Sequence, residues 1–373
     1  MNTKSVVLIA LYLAAALVSA QSTVPASRLA HLRHGINTSS WFAQVYDGEG
    51  YTKQHFDTYT TADDIALIKS MGFDHVRLSV NPGPMFRDKR PDEIPAEYLG
   101  YLDHAVKMIL DQGLAVIIDL HPDSDFKAKL NSNQDDFVQQ FADFWRALAQ
   151  HYSTWDAERV FFEVLNEPEF GDRNKWQGVQ LKLVNAIREG APQHTIIVAG
   201  ANWSADHELV FMDTVRDPNV IYNFHFYDPH IFTHQGATWG EYNWHWVKGL
   251  RYPSSPEAVA PLLPKVPVPL YRLYVVRYGQ DRWNAERIEA EINQVAEWAK
   301  ARGVPLTCNE FGVFRPFADP KDRAAWISDL RKSLERHGIG WAMWDYQGGF
   351  GVVVKENGKT TPDEVTLRAL GLK

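Results

Sequence analysis

Short apolar runs recur eight times along this chain, each separated from the next by a stretch long enough for a helix, and this alternation restricts the fold more than any other property. The runs lie near Arg33 to Ile36, His75 to Val80, Ala115 to Leu120, Val160 to Leu165, Thr195 to Ala199, Val220 to Phe224, Leu306 to Asn309 and Gly340 to Trp344. Between them apolar residues step by three or four, as in Ile65, Ile68, Met71, then Leu102, Ala105, Val106, Ile109, then Ile288, Ile292, Val295, Ala299. That is the spacing of helices with one buried face. Gly72 and Gly113 follow the first two as helix stops. Strand and helix in alternation make βα units around a parallel sheet. Eight such units predict an α/β fold, a single (β/α)8 TIM barrel.

The exception is residues 228–281, a long stretch after the sixth strand that is rich in Trp, Tyr, His and Pro. Loops of this length are functional or disordered. The aromatic content points to order, since disordered segments are poor in aromatics. Too little chain separates it from Leu306 to build a second domain, so it is expected to be an insertion over the barrel mouth. The catalytic domain is then residues 21–373, with 1–20 as a leader: Lys4, an apolar run from Val6 to Val18, and small residues Val18-Ser19-Ala20 before Gln21. The apolar run is shorter than the roughly 18 residues that a membrane span needs. A secreted or periplasmic, monomeric protein with no membrane attachment after leader removal is expected.

A net charge of -8 argues against a nucleic-acid partner, because such proteins carry basic patches. Cys308 is the single cysteine, so no intramolecular disulfide can form and the core must hold by burial. Its place in an apolar run reads as packing rather than nucleophilic chemistry.

In βα-repeat proteins chemistry sits at the C-terminal ends of strands. There, VFFEVLNEPE places Glu167, and LTCNEFG places Glu310, about 140 residues later. Two carboxylates at strand ends suggest hydrolysis of a glycosidic bond, one holding a proton and the other ionised. Arg77, in HVRLSV, is a cation that could keep one of them ionised. His121, His225, Tyr227 and Trp344 also fall at strand ends, so a closed barrel would bring them to one rim. Trp41, Trp203, Trp239, Trp244 and Trp246 are candidate sugar-stacking faces, with core packing as the alternative for each.

These residues resemble glycoside hydrolase family 5, retaining β-glycanases that include many cellulases and mannanases, over about His34 to Gly351. The resemblance implies that Glu167 is the acid/base and Glu310 the nucleophile. It implies that Asn166 binds the sugar 2-hydroxyl, that Arg77 and Tyr227 hydrogen-bond the nucleophile, that His121 and His225 line the subsite at the bond to be cut, and that Trp344 stacks beneath that sugar. Trp344 to Val352 resembles the final loop of many family cellulases, which points to a β-1,4-glucan polysaccharide or oligosaccharide as partner. No cofactor and no metal are expected.

Two other classes fit less well. Asp119, His121 and Asp123, with His225, Asp228, His230 and His234, could serve a metal-dependent hydrolase, but this leaves both glutamates without roles. A non-catalytic glycan-binding barrel would be expected to lack one carboxylate. Within the glycosidases, mannanase, xyloglucanase and exo-acting β-glucosidase rival endoglucanase, and the long insertion favours chain-end trimming.

Overall fold

In the computed structural model, which describes residues 24–46, 48–240 and 243–373, eight parallel strands close into a barrel in sequence order. They are β1 (His34–Phe42), β2 (His75–Val80), β3 (Ala115–Leu120), β4 (Val160–Glu163), β5 (Thr195–Ala199), β6 (Val220–His225), β7 (Leu306–Glu310) and β8 (Gly340–Met343). β8 returns to pair with β1, His34 opposite Trp341, so the (β/α)8 expectation holds. The expected leader lies outside the described residues, and among the described residues no helix is long and apolar enough to cross a membrane.

The strands read as continuous apolar runs because both faces are buried. Outward residues, such as Val76, Leu78 and Val80 of β2 or Val116, Ile118 and Leu120 of β3, pack with the helices into the main core. Inward residues alternate with them and form a separate apolar cluster of Ala115, Ile117, Phe161, Ile197 and Ile221, against which Leu29 and Leu32 pack. One inward position further along, Ile117 gives way to Asp119, Phe161 to Glu163 and Ile221 to Asn223. With Asn37, Arg77 and Asn309 these make a polar layer of buried side chains. The barrel is therefore apolar at its N-terminal end and charged towards the end where the strands stop.

Two irregularities aim side chains. Between β6 and β7 the register shifts so that Phe224 faces Cys308 while His225 faces Glu310, which puts these two side by side. Between β1 and β2 it shifts between Thr38 and Phe42, and Ser40 takes a left-handed conformation (φ 52°). β1 thus runs six residues beyond the Ile36 end read from sequence.

Residues 228–281 are built of short helices, His230–Thr233, Trp244–Trp246, Pro256–Val259 and Leu263–Lys265, and a longer one, Pro269–Asp281. The later part is tied to the barrel helix Pro320–Arg336, where Arg251 pairs with Asp322 at 2.5 Å and Tyr252 Oη donates to Asp329 at 2.9 Å. Among the described residues, only the early part reaches the cleft described below.

Gly35 of β1 shows how tightly the barrel interior is filled. A Cβ there would lie 2.1 Å from the His75 imidazole, which Asp74 holds through a 2.6 Å contact. Gly35→Ala is expected to cost about 1–3 kcal/mol through overpacking. Urea unfolding checks this, and an unchanged midpoint would contradict it.

Candidate active site

The site is assembled around Arg77, which β2 points into the polar layer with no exposed surface. A guanidinium has five N–H donors in a rigid fork, and each finds an acceptor. Nε and Nη2 grip Glu163 at 2.9 and 2.7 Å, Nη1 donates to Glu310 Oε1 at 2.6 Å and to Asn37 Oδ1 at 2.9 Å, and Nη2 donates to Asn166 Oδ1 at 2.9 Å. Asp119 lies 3.1 Å from Nη2. Burial alone would weaken the charge on Arg77, but the three carboxylates of Asp119, Glu163 and Glu310 outweigh it and hold its pKa well above the usual value. Asp119 itself is raised to about 6 by burial, against the pull of Arg77.

Glu310, the last residue of β7, is held from both sides. Arg77 takes Oε1, and Tyr227 Oη donates to Oε2 at 3.1 Å. Glu167, four residues past the end of β4, has neither contact. Its Oε1 lies 3.1 Å from His225 Nδ1, and burial raises its pKa, with Lys127 and His121 opposing in part. Its backbone is in the left-handed region (φ 44°), uncommon for a residue with a side chain and a frequent mark of functional sites. Carboxylate oxygens of Glu167 and Glu310 lie within 4.8 Å of one another.

Both histidines are neutral. His121 Nε2 accepts from Asn166 Nδ2 at 3.0 Å, which leaves Nδ1–H to face Asp119 at 3.1 Å, and burial lowers its pKa to about 3. His225 is lowered to about 4, again by burial. The His121 ring stacks against Trp344, with centroids 5.7 Å apart and planes at 23°. Asn166 is buried, its amide clamped between Arg77 and His121.

A cleft of about 630 Å³ opens above these groups. Glu167 and Glu310 sit at β4 and β7, so the barrel order divides the rim into two arcs. Trp344, His121 and Gln44 border the cleft on the β8–β1–β3 arc, and Trp203, Trp239, His230 and His234 on the β5–β6 arc. Trp203 and Trp239 are about half exposed. Trp41, expected among the stacking faces, is instead core: it is 1% exposed and its Nε1 donates to Phe56 O at 2.9 Å. The reason is that β1 continues past Ile36, and helix Lys53–Thr58 covers the indole. Trp244 is also buried, with Nε1 on His230 Nδ1 at 2.7 Å, and Trp246 is half exposed but outside the cleft lining. Cys308 is buried, and its thiol pKa is pushed well up by burial.

Neither histidine and aspartate set considered for a metal converges. His230 and His234 stack face to face at 3.8 Å, and His121 turns its nitrogens to Asp119 and Asn166. Among the described residues the group of three that could meet on an ion is Glu167, His225 and Glu310, the carboxylate pair with its histidine. A second cavity of about 460 Å³, at the N-terminal ends of β7 and β8, has no carboxylate in its lining.

Glu163, Asn37 and Asn309 were not singled out from the sequence. Asn309 Nδ2 donates to Glu163 at 2.7 Å, and Asn37 Nδ2 donates to Asn309 O at 2.9 Å, so both brace Arg77 and its partners from below. Glu163 had left a signal: a charge inside the apolar run VFFEV has to be paired when the strand is buried.

Residues 36–349 match the family model for cellulase (glycosyl hydrolase family 5). Endoglucanase C of Acetivibrio thermocellus is 30% identical over 318 residues, covering 84% of this chain and 90% of its own length. Cellodextrinase A of Ruminococcus flavefaciens is 26% identical over 321 residues, 82% of each. Among solved structures, Cel5A of Thermotoga maritima in complex with cellobiose superimposes with a TM-score of 0.74 at 26% identity, over 92% of this chain and 98% of that one. With a closed barrel, a paired-carboxylate cleft and a family match across most of its length, the chain belongs to glycoside hydrolase family 5 and is an O-glycosyl hydrolase.

Proposed function

We propose that the protein is an exported, monomeric, retaining endo-β-1,4-glucanase in which Glu310 is the nucleophile and Glu167 the acid/base. The observation that carries this reading is that one oxygen of each carboxylate lies within 4.8 Å of the other, close enough for a directly facing pair. Retaining glycosidases place the pair about 5–5.5 Å apart, whereas inverting ones leave about 6.5–9.5 Å for a water. The unlike surroundings of the pair add to it, since Glu310 faces a cation and a hydroxyl donor while burial raises the pKa of Glu167.

In the first step Glu310 attacks the anomeric carbon as the bond to the leaving oxygen breaks, and Glu167 gives that oxygen its proton. In the second, Glu167 takes a proton from water, the water oxygen attacks the same carbon, and Glu310 leaves as the free carboxylate. The leaving-group sugar sits on the β5–β6 arc with Trp203 and Trp239, and the glycone lies over Trp344. Aromatic faces on both arcs support internal cleavage, and so does the likeness to endoglucanases. The leader sequence at residues 1–20 supports export. One observation favours a second reading, chain-end trimming of oligosaccharides. Residues 228–240, the early part of the single domain's insertion, contribute His230, His234 and Trp239 to one end of the cleft. Chromatography of early products from a polysaccharide panel separates the two, because internal cleavage yields a range of oligosaccharides and trimming yields one short product.

Glu167→Ala should lose most activity on natural glucan but regain turnover with azide on a substrate whose leaving group needs no proton, giving the β-azide. The alkaline limb of kcat/KM should lie above the ordinary glutamate range in the wild type, because activity requires protonated Glu167 and is lost as pH rises through its raised pKa. In the azide-rescued variant that limb should vanish. An α-azide product, or an unchanged limb, would overturn the assignment.

Asn166→Ala should lower kcat by about 10²-fold or more with a smaller change in KM, as expected for a contact that tightens in the transition state. An effect confined to KM would contradict a role at the 2-hydroxyl. Activity should survive exhaustive chelation.

A further inference from the structure

The residue after the platform tryptophan is an acid that the mechanism does not use. Asp345 is 4% exposed, and it follows Trp344 directly. One carboxyl oxygen, Oδ2, accepts from Ser39 Oγ in the irregular part of β1. The other, Oδ1, is buried without a hydrogen-bond partner among the described residues. The neighbouring backbone is stitched in place on both sides. Trp344 N donates to Phe311 O at 2.9 Å, and Tyr346 N donates to Asn37 O at 2.8 Å, the same Asn37 whose side chain braces Arg77. Among the described residues, the one side-chain tie between Asp345 and the barrel is therefore its contact with Ser39.

We propose that Asp345 is a positioning residue: linked to Ser39, it sets the height and tilt of the Trp344 indole beneath the sugar that Glu310 attacks. This rests on the glycosidase reading of the cleft. The charged groups around Asp345 decide the state in which it does so. From β7 Glu310 presents a like charge. Arg315, in the loop after β7, gives Nη2 to Gly348 O at 3.2 Å and leaves Nη1 without a hydrogen-bond partner among the described residues, and Arg323, on helix Pro320–Arg336, gives its donors to Val313 O at 3.0 Å, Phe350 O at 2.7 Å and the Asp363–Thr366 turn; both cations pull against the rise in the Asp345 pKa, but neither bonds its carboxyl. Tyr59, beyond helix Lys53–Thr58, supplies only a neutral phenol whose own pKa is raised, mainly by burial. Burial raises Asp345 to about 7, with the Ser39 hydroxyl opposing and Glu310 adding to the rise, so the carboxyl is neutral in acid. Above that pH an anion would sit in a dry site with one oxygen lacking a donor, a costly arrangement that the turn can relieve by shifting.

Four proteins test this: the wild type, Asp345→Asn, Asp345→Ala and Ser39→Ala. Each is assayed for kcat and KM on a soluble cello-oligosaccharide across pH and for quenching of tryptophan fluorescence by cellobiose. Asn keeps an acceptor for Ser39 and cannot ionise. It should match the wild type in acid, while wild-type KM climbs as pH rises through about 7 and the Asn variant's stays flat. Asp345→Ala should raise KM about tenfold, with kcat changing less and the quench altered. Ser39→Ala should shift both readouts the same way by a smaller factor. Unchanged KM and quench in Asp345→Ala, an Asn variant as impaired as Ala, or a pH-independent wild-type KM would each overturn the proposal. If Asp345→Ala fails to fold by circular dichroism, Ser39→Ala decides, because it removes a single hydroxyl, and wild-type behaviour there overturns the idea. Should the wild type hydrolyse no glycan, the functional reading fails, while the cellobiose quench still reports on the platform.

Discussion

The geometry of this cleft depends on one buried cation. Arg77 lies at the centre of the polar layer and divides its donors among Glu163, Glu310, Asn37 and Asn166. Breaking a buried pair costs about 3–5 kcal/mol, because the partner is left as an uncompensated charge. Here three carboxylates would be left facing one another. The arrangement is thus a structural necessity and a chemical device at once: the guanidinium that neutralises the barrel interior also fixes one oxygen of Glu310.

From that centre the two acids diverge. Glu310 ends its strand inside the network, while Glu167 stands four residues beyond its own strand, on left-handed backbone, outside the reach of the guanidinium's hydrogen bonds. Burial raises the pKa of Glu167, and no hydrogen bond from Arg77 reaches it to offset that rise. His121 and His225 stay uncharged in this setting, so they shape and bridge without adding positive charge beside the acid. Rigidity in the layer below permits this precision above it, since side chains locked by packing and hydrogen bonds do not have to reorganise during reaction.

Much of this was legible in the sequence, for physical reasons. A barrel strand buried on both faces has to be an apolar run, so the eight strands could be read directly, and chemistry at strand ends followed from the fold. Arg77, Asn166, His225, Tyr227 and Glu310 meet in space as that reading implies. What the one-dimensional pattern misjudged were places where the backbone departs from regular strand. Trp41 was expected in the cleft because β1 was taken to end at Ile36. The shift in register near Ser40 and the covering helix Lys53–Thr58 place it in the core. Glu163 was overlooked because the fourth strand was read as running on to Leu165, which put this residue inside the run, whereas β4 ends at Glu163. Residues 228–281 were expected to be ordered from their aromatics, but the pattern did not say which of them border the cleft; Tyr252 instead meets Asp322 and Asp329, far along the chain.

We propose above that Glu310 attacks the sugar while Glu167 manages the proton. Mass spectrometry of the enzyme after reaction with a 2-deoxy-2-fluoro cellobioside bearing a good leaving group tests this directly, since the fluorine slows the second step and lets the ester accumulate. One glycosyl adduct is expected, mapped by peptide digestion to Glu310. A label on Glu167, or rapid release of product with inverted configuration and no adduct, would contradict it.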